Sequence, residues 1–160
     1  MKPLVACLLA CFFCATLAAF ADDEAVLNQA INALNARAKT DAGQTLVLKA
    51  VSQQTNVPEK TLQSQMNATR LTYGELLTAN SLAQGSGKNF NSILAMKQGK
   101  GWAHLSKEVR IDPNSIIHRL QAAEKMSQAN AQAGNVRKVT GVKKDNDSGF
   151  QNPDSMSPGR

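Results

Sequence analysis

The sequence predicts an all-α fold, a compact bundle of about six to eight short helices built from helix-turn-helix-like hairpins. Three observations carry this expectation. From Glu24 to about Gln128, apolar residues recur every three or four positions, and no segment sustains period-two alternation. Aromatic residues make up only 4% of the 160 residues, whereas strands favour aromatic and β-branched side chains. The stretches between the periodic segments are short and polar, as connections between packed helices are.

Taken in order, Leu27, Ile31, Leu34 and Ala38 mark the apolar face of a first helix, with Asn28, Gln29, Asn32 and Asn35 between them. Asp41 suits the N-cap of a second helix that turns Leu46, Val47, Ala50 and Val51 inward. Asn56-Val57-Pro58 interrupts it, and Pro58 fits the first turn of a third helix with Leu62, Met66 and Leu71 inside. Tyr73-Gly74 reads as the next break, and Glu75 to Ala83 as a helix burying Leu76, Leu77 and Leu82. Gly85-Ser86-Gly87 is a loop, Phe90 to Lys97 a short helix, and Gly99-Lys100-Gly101 a second glycine-bounded turn. Trp102 to Val109 is helical, and Asp112-Pro113 opens a last long helix through Ile116, Ile117, Leu120 and Met126. Trp102, Phe90 and Tyr73 are the large side chains available to the core.

The chain ends are different in character. Lys2 is followed by an uncharged, apolar run from Leu4 to Ala21, which closes on Ala19-Phe20-Ala21 before Asp22-Asp23-Glu24. Small side chains at Ala19 and Ala21 fit a signal-peptidase site, so residues 1–21 read as a secretory signal peptide cleaved after Ala21. The weaker alternatives are an uncleaved anchor and a lipid anchor at Cys11 in Leu8-Leu9-Ala10-Cys11. Against lipidation, ten uncharged and, but for Thr16, apolar residues follow Cys11, where a lipoprotein carries a polar tether. Cleavage would remove Cys7, Cys11 and Cys14, leaving 139 residues without a thiol. That excludes disulfides, thiolate metal sites and cysteine nucleophiles, and leaves the core to stabilise the exported chain alone. The organisation expected is therefore a signal peptide over 1–21, a helical domain over 22–128 and a flexible basic tail over 129–160. The tail is rich in Gly, Asn, Ser and Pro and contains Arg137, Lys138, Lys143 and Lys144.

Two stretches match at an offset of 54 residues. Val51-Ser52 with Val57, Thr61, Leu62 and Met66 corresponds to Leu105-Ser106 with Ile111, Ser115, Ile116 and Leu120. Each spells a helix, a tight turn and a second helix, and resembles a helix-turn-helix unit. Leu82-Ala83 through Phe90 to Ile93-Leu94 is a looser third copy. The turn position is Asn56 in the first copy but Arg110 in the second. Asparagine accepts a left-handed backbone more readily than arginine, which puts the second turn in doubt. A DNA-binding reading would place Gln63, Asn67, Asn114, His118 and Arg119 at base edges, with the net charge of +6 assisting at phosphates. An export signal argues against it, as does the interleaving of acidic residues such as Glu59 and Glu124 with the bases.

Tyr73-Gly74-Glu75-Leu76-Leu77, Ala79-Asn80-Ser81-Leu82-Ala83, Gly87-Lys88-Asn89-Phe90 and Gly99-Lys100-Gly101-Trp102 with Leu105-Ser106-Lys107-Glu108 form a recurring order. It resembles a pattern in uncharacterised exported bacterial helical proteins with a Gly-Lys-Gly-Trp motif and helix-turn-helix-like repeats. The resemblance covers roughly residues 45–120 and departs from the pattern at Ala103-His104 and at Val109-Arg110. It implies a bacterial source and export, and no activity.

No residue set indicates catalysis, a metal or a cofactor. His104 and His118 lie fourteen apart on different expected helices, and Glu108 stands four residues after His104 as a surface pair would. Gly85-Ser86-Gly87-Lys88 lacks the preceding strand and the spacing of a phosphate loop. Trp102 reads first as core. Its alternative is an exposed aromatic with Lys100 and Lys107 beside it, a surface for an anionic envelope component. The sequence thus reads as an exported, non-enzymatic interaction or structural protein, periplasmic or secreted, whose partner is a protein or an anionic envelope component. The leading reading involves no nucleic acid, and a membrane only during export or if the N-terminus stays uncleaved. The alternative is a helix-turn-helix DNA-binding protein, should residues 1–21 not act as an export signal.

Overall fold

The computed structural model describes residues 22–140, and all seven elements among them are α-helices. They are α1 (residues 22–37), α2 (Asp41–Thr55), α3 (Glu59–Thr69), α4 (Tyr73–Ser86), α5 (Phe90–Lys97), α6 (Trp102–Glu108) and α7 (Pro113–Thr140). The signal-peptide segment, with Ala19, Ala21 and Cys11, lies outside the described residues, as do residues 141–160.

One connection is used five times. The described residues with positive φ are Asn56, Arg70, Gly87, Gly99 and Arg110. Each stands two positions before a helix cap, at Pro58, Thr72, Asn89, Gly101 and Asp112. Four residues beyond each cap comes a side chain at most 1% exposed: Leu62, Leu76, Ile93, Leu105 and Ile116. The left-handed residue reverses the chain, the extended cap starts the next helix, and the apolar residue pins that helix to the core. Val57, Leu71 and Ile111 occupy the position just before the cap and pack on the same core, as in a hydrophobic staple.

The offset repeat is structural. The Ser52 hydroxyl donates to the Val57 carbonyl at 2.6 Å, and the Ser106 hydroxyl donates to the Ile111 carbonyl at 2.6 Å. The doubt over the second turn is corrected, since Arg110 adopts φ 61, beside φ 52 at Asn56. The Ile111 amide bonded to the Ser106 carbonyl at 2.8 Å, with Leu105 and Ile116 buried on either side, holds Arg110 in a conformation that costs an L-residue about 1–2 kcal/mol. The looser copy has the same backbone, with Leu82, Gly87 and Ile93 in equivalent places and Ala83 where the others have serine. Arg110 is exposed. Arg110→Gly is therefore expected to raise stability by about 0.5–1 kcal/mol in urea unfolding, relief of strain outweighing glycine's entropy.

Several boundaries differ from expectation. The cap of α2 is Thr40, not Asp41: its hydroxyl accepts the Gly43 amide at 3.1 Å, and Asp41 becomes the first helical residue. Tyr73-Gly74 opens α4 rather than breaking the chain, because Thr72 and Glu75 form a capping box. Gly85 and Ser86 belong to α4, and Gly87 ends it with φ 68. The tail expected from residue 129 starts as helix: α7 continues through Gly134 to Thr140. The run Ala129-Asn130-Ala131-Gln132-Ala133 has enough helix preference to carry one glycine, at a cost of about 1 kcal/mol.

The core is organised on α4. Residues 76–83 are all buried, as in a helix enclosed on every side. It packs against α2, α3, α5 and α7, and among helices α2 to α7 the pair α2 and α7 is the most extensive. Leu27, Ile31 and Leu34 close the bundle from α1. Gly74 permits that closure, since a Cβ there would lie 2.8 Å from the Ile31 carbonyl oxygen. Buried polar groups on α4 bond locally: Thr78 donates to the Gly74 carbonyl at 2.8 Å, and Asn80 to the Leu76 carbonyl at 2.9 Å. Asn80 and Gln65 of α3 also exchange amide hydrogen bonds at 2.9 and 3.3 Å. The Ser81 hydroxyl is buried without a partner.

Candidate functional site

The Gly-Lys-Gly-Trp turn is where the first described residues meet the body. Gly99 supplies φ 70. Gly101 caps α6, and a Cβ on it would run into the Glu24 carboxylate. That carboxylate accepts the Trp102 amide at 2.9 Å and the Ala103 amide at 2.8 Å, from 78 and 79 residues away. An acidic side chain from α1 thereby satisfies two open donors at the start of α6 and complements the helix dipole. Asp23 pairs with Lys107 at 2.5 Å. Both acidic residues lie within three positions of the expected cleavage point, and both are tied into the bundle.

Trp102 is 3% exposed. The indole is a core side chain, as its first reading has it, which corrects the alternative of an exposed surface-binding aromatic; the Lys97 ammonium lies 4.8 Å from its ring centroid. Lys100 and Lys107 are half-buried. Lys100 bridges to Glu108 at 2.7 Å, and its carbonyl accepts from the Lys97 ammonium at 2.5 Å. Three cations, Lys97, Lys100 and Lys107, thus stand among three carboxylates, Asp23, Glu24 and Glu108. The balanced charge does not form the cationic surface of the alternative reading. The Lys100 ammonium, assisted by the charge of His104, holds the Glu108 carboxyl below the usual carboxylate range. The pair therefore persists below the ordinary glutamate titration and is lost as the pH falls through that lowered value.

The residues singled out for DNA contacts separate into two groups. Gln63 and Asn67 are exposed on α3 and line an open groove of about 490 Å³ against α2 and the start of α4, with Asp41 at its edge. Asn114 and His118 are exposed on α7. The Asn114 amide and side chain both bond the Asp112 carboxylate, at 3.0 and 3.2 Å. Arg119 donates to the Gln84 side chain at 3.3 Å, and Gln84 in turn donates to the Thr55 carbonyl at the end of α2. Arg119 is thus part of a bracket between helices.

Other charged groups serve the scaffold. Arg37 of α1 pairs with Glu124 of α7 at 3.0 Å. Glu75 completes a cap, and Asp41 and Glu59 begin α2 and α3, where negative charge is favourable. Among the described residues no group of three His, Cys, Asp or Glu side chains is placed to hold a metal ion, and no helix is long and apolar enough to cross a membrane. Burial raises the Tyr73 phenol, which keeps it a hydrogen-bond donor across the ordinary pH range. Comparison of the chain with protein-family models, curated proteins and solved structures gives no match.

Sequence reasoning missed Glu24 as a cap. A helix-cap motif is local, and this cap is contributed from 78 residues away; the glycine at 101 was the one available signal.

Proposed function

We propose that this is an exported, non-enzymatic helical interaction protein of the bacterial envelope or exterior, processed after Ala21. The observation that carries the reading is the engagement of Asp23 and Glu24 with Lys107 and the α6 amides. These residues are the second and third after Ala21, so the segment just past the expected cleavage point belongs to the folded body. The structural employment of the carboxylates described above supports a scaffold rather than an acid–base site. The resemblance of residues 45–120 to exported helical proteins points the same way.

Intact mass and fractionation of the protein from its native host test the proposal. The expected result is a mass lacking residues 1–21, in the periplasm or the medium. A full-length mass in the cytoplasm overturns it. In that case helix-turn-helix DNA binding becomes the leading reading, favoured by the matching turns at Asn56 and Arg110. It requires duplex affinity that falls steeply with salt and is lost in Gln63→Ala or Arg119→Ala.

A further inference from the structure

Helix α3 has an unusual surface. Between Lys60 and Arg70 its nine residues carry no charge and consist mainly of Gln, Asn, Ser and Thr. A groove runs along each side. The first, of about 490 Å³, has Gln44, Gln63, Asn67 and Tyr73 around Leu48 and Met66. The second, of about 340 Å³, sets Thr61, Ser64 and Thr69 opposite Asn89, Phe90 and Asn91 of the α5 start. Each groove therefore combines one aromatic ring with several hydroxyl and amide groups. The Gln44, Gln63 and Asn67 side-chain amides and the Tyr73 hydroxyl make no hydrogen bond within the described residues. Asp41 is the sole charged residue lining either groove.

We propose that the grooves flanking α3 bind a neutral, polyhydroxylated chain of the oligosaccharide class. A side-chain amide sets an NH2 donor group beside a carbonyl acceptor in one plane, which matches a pair of neighbouring sugar hydroxyls. An aromatic ring with a polar tip, such as Tyr73, packs against the C–H face of a sugar while its hydroxyl bonds outward. Without lysine or arginine in either groove, phosphate and carboxylate ligands find no counter-charge. The Asp41 carboxylate accepts from hydroxyls and repels anions. An extended peptide would need a sheet edge for its backbone, and these helix-walled grooves supply none. The inference stands on this geometry and does not depend on export.

The test is an amide-resolved NMR titration of the purified protein with a tetramer of β-1,4-linked N-acetylglucosamine, with tetra-alanine as the peptide probe. The expected result is saturable shifts of the Gln63 and Asn67 side-chain amides and of Tyr73 with the sugar. The double variant Gln63→Ala/Asn67→Ala should keep the folded spectrum, because both side chains are exposed, and bind about tenfold or more weakly. Absence of saturable shifts, shifts confined to other faces, tighter binding of tetra-alanine, or unchanged affinity in the double variant would each overturn the proposal. Because the purified protein is used, failure here is distinct from failure of the export reading.

Discussion

Gly74→Ala is expected to destabilise the protein by about 3 kcal/mol, at the upper end of what one added methyl group does in a packed interior. The added Cβ would lie 2.8 Å from the Ile31 carbonyl oxygen and 2.9 Å from its Cα. Both are backbone atoms, so no side-chain rotation relieves the overlap, and α1 must move off α4. Movement also strains the bond that the Gly74 amide donates to the Asn35 side chain at 2.9 Å. It would unseat Leu27, Ile31 and Leu34, all at most 5% exposed. Urea unfolding checks this, with a fall in midpoint and no change in slope. Gly87→Ala is the useful contrast. Nothing lies within 4 Å of a Cβ there, and only its φ of 68 opposes the change, so a loss of about 1 kcal/mol is expected.

The second large effect is at Trp102. Its truncation to alanine should cost about 3–5 kcal/mol, as removal of a buried aromatic does, because the indole is 3% exposed. Trp102→Phe should recover most of that loss. An exposed binding platform would behave in the opposite way, since an exposed substitution seldom moves stability by more than about 0.5 kcal/mol. Thermal or urea unfolding of the two variants therefore separates the core role from the surface role that Lys100 and Lys107 suggest in the sequence.

The features legible in the sequence were the local ones. Helical spacing of Leu27, Ile31 and Leu34, or of Ile116, Ile117 and Leu120, reports directly on the buried face. The 54-residue repeat announced two like turns, because the same apolar and serine positions serve the same backbone. Gly74 was misread because glycine marks both a chain break and a close approach of helices, and only the position of α1 distinguishes them. Arg110 was doubted on intrinsic preference, which the surrounding contacts overrule. The burial of Asn80 and Ser81 was not legible either. Their polarity suggests solvent, yet α4 is central and its small side chains admit α1, α2, α3, α5 and α7 around it. Of the candidate site, the exposure of Gln63 and Asn67 on the second helix of a repeat was legible, while the grooves around them, with Asp41 as their one charged lining residue, appear only in three dimensions.

The claim on which the rest depends is that the residues just after Ala21 belong to the folded body through Glu24. A double-mutant cycle on Glu24→Ala and Gly101→Ala, followed by urea unfolding, tests it directly. Glu24→Ala should cost about 2 kcal/mol, because two α6 amides lose a charged acceptor. Gly101→Ala should be harmful alone, since its Cβ displaces the carboxylate, and should add little once Glu24 is gone, giving a strong coupling. A neutral Glu24→Ala, or losses that simply add, would contradict the claim and detach the chain's acidic start from its Gly-Lys-Gly-Trp turn.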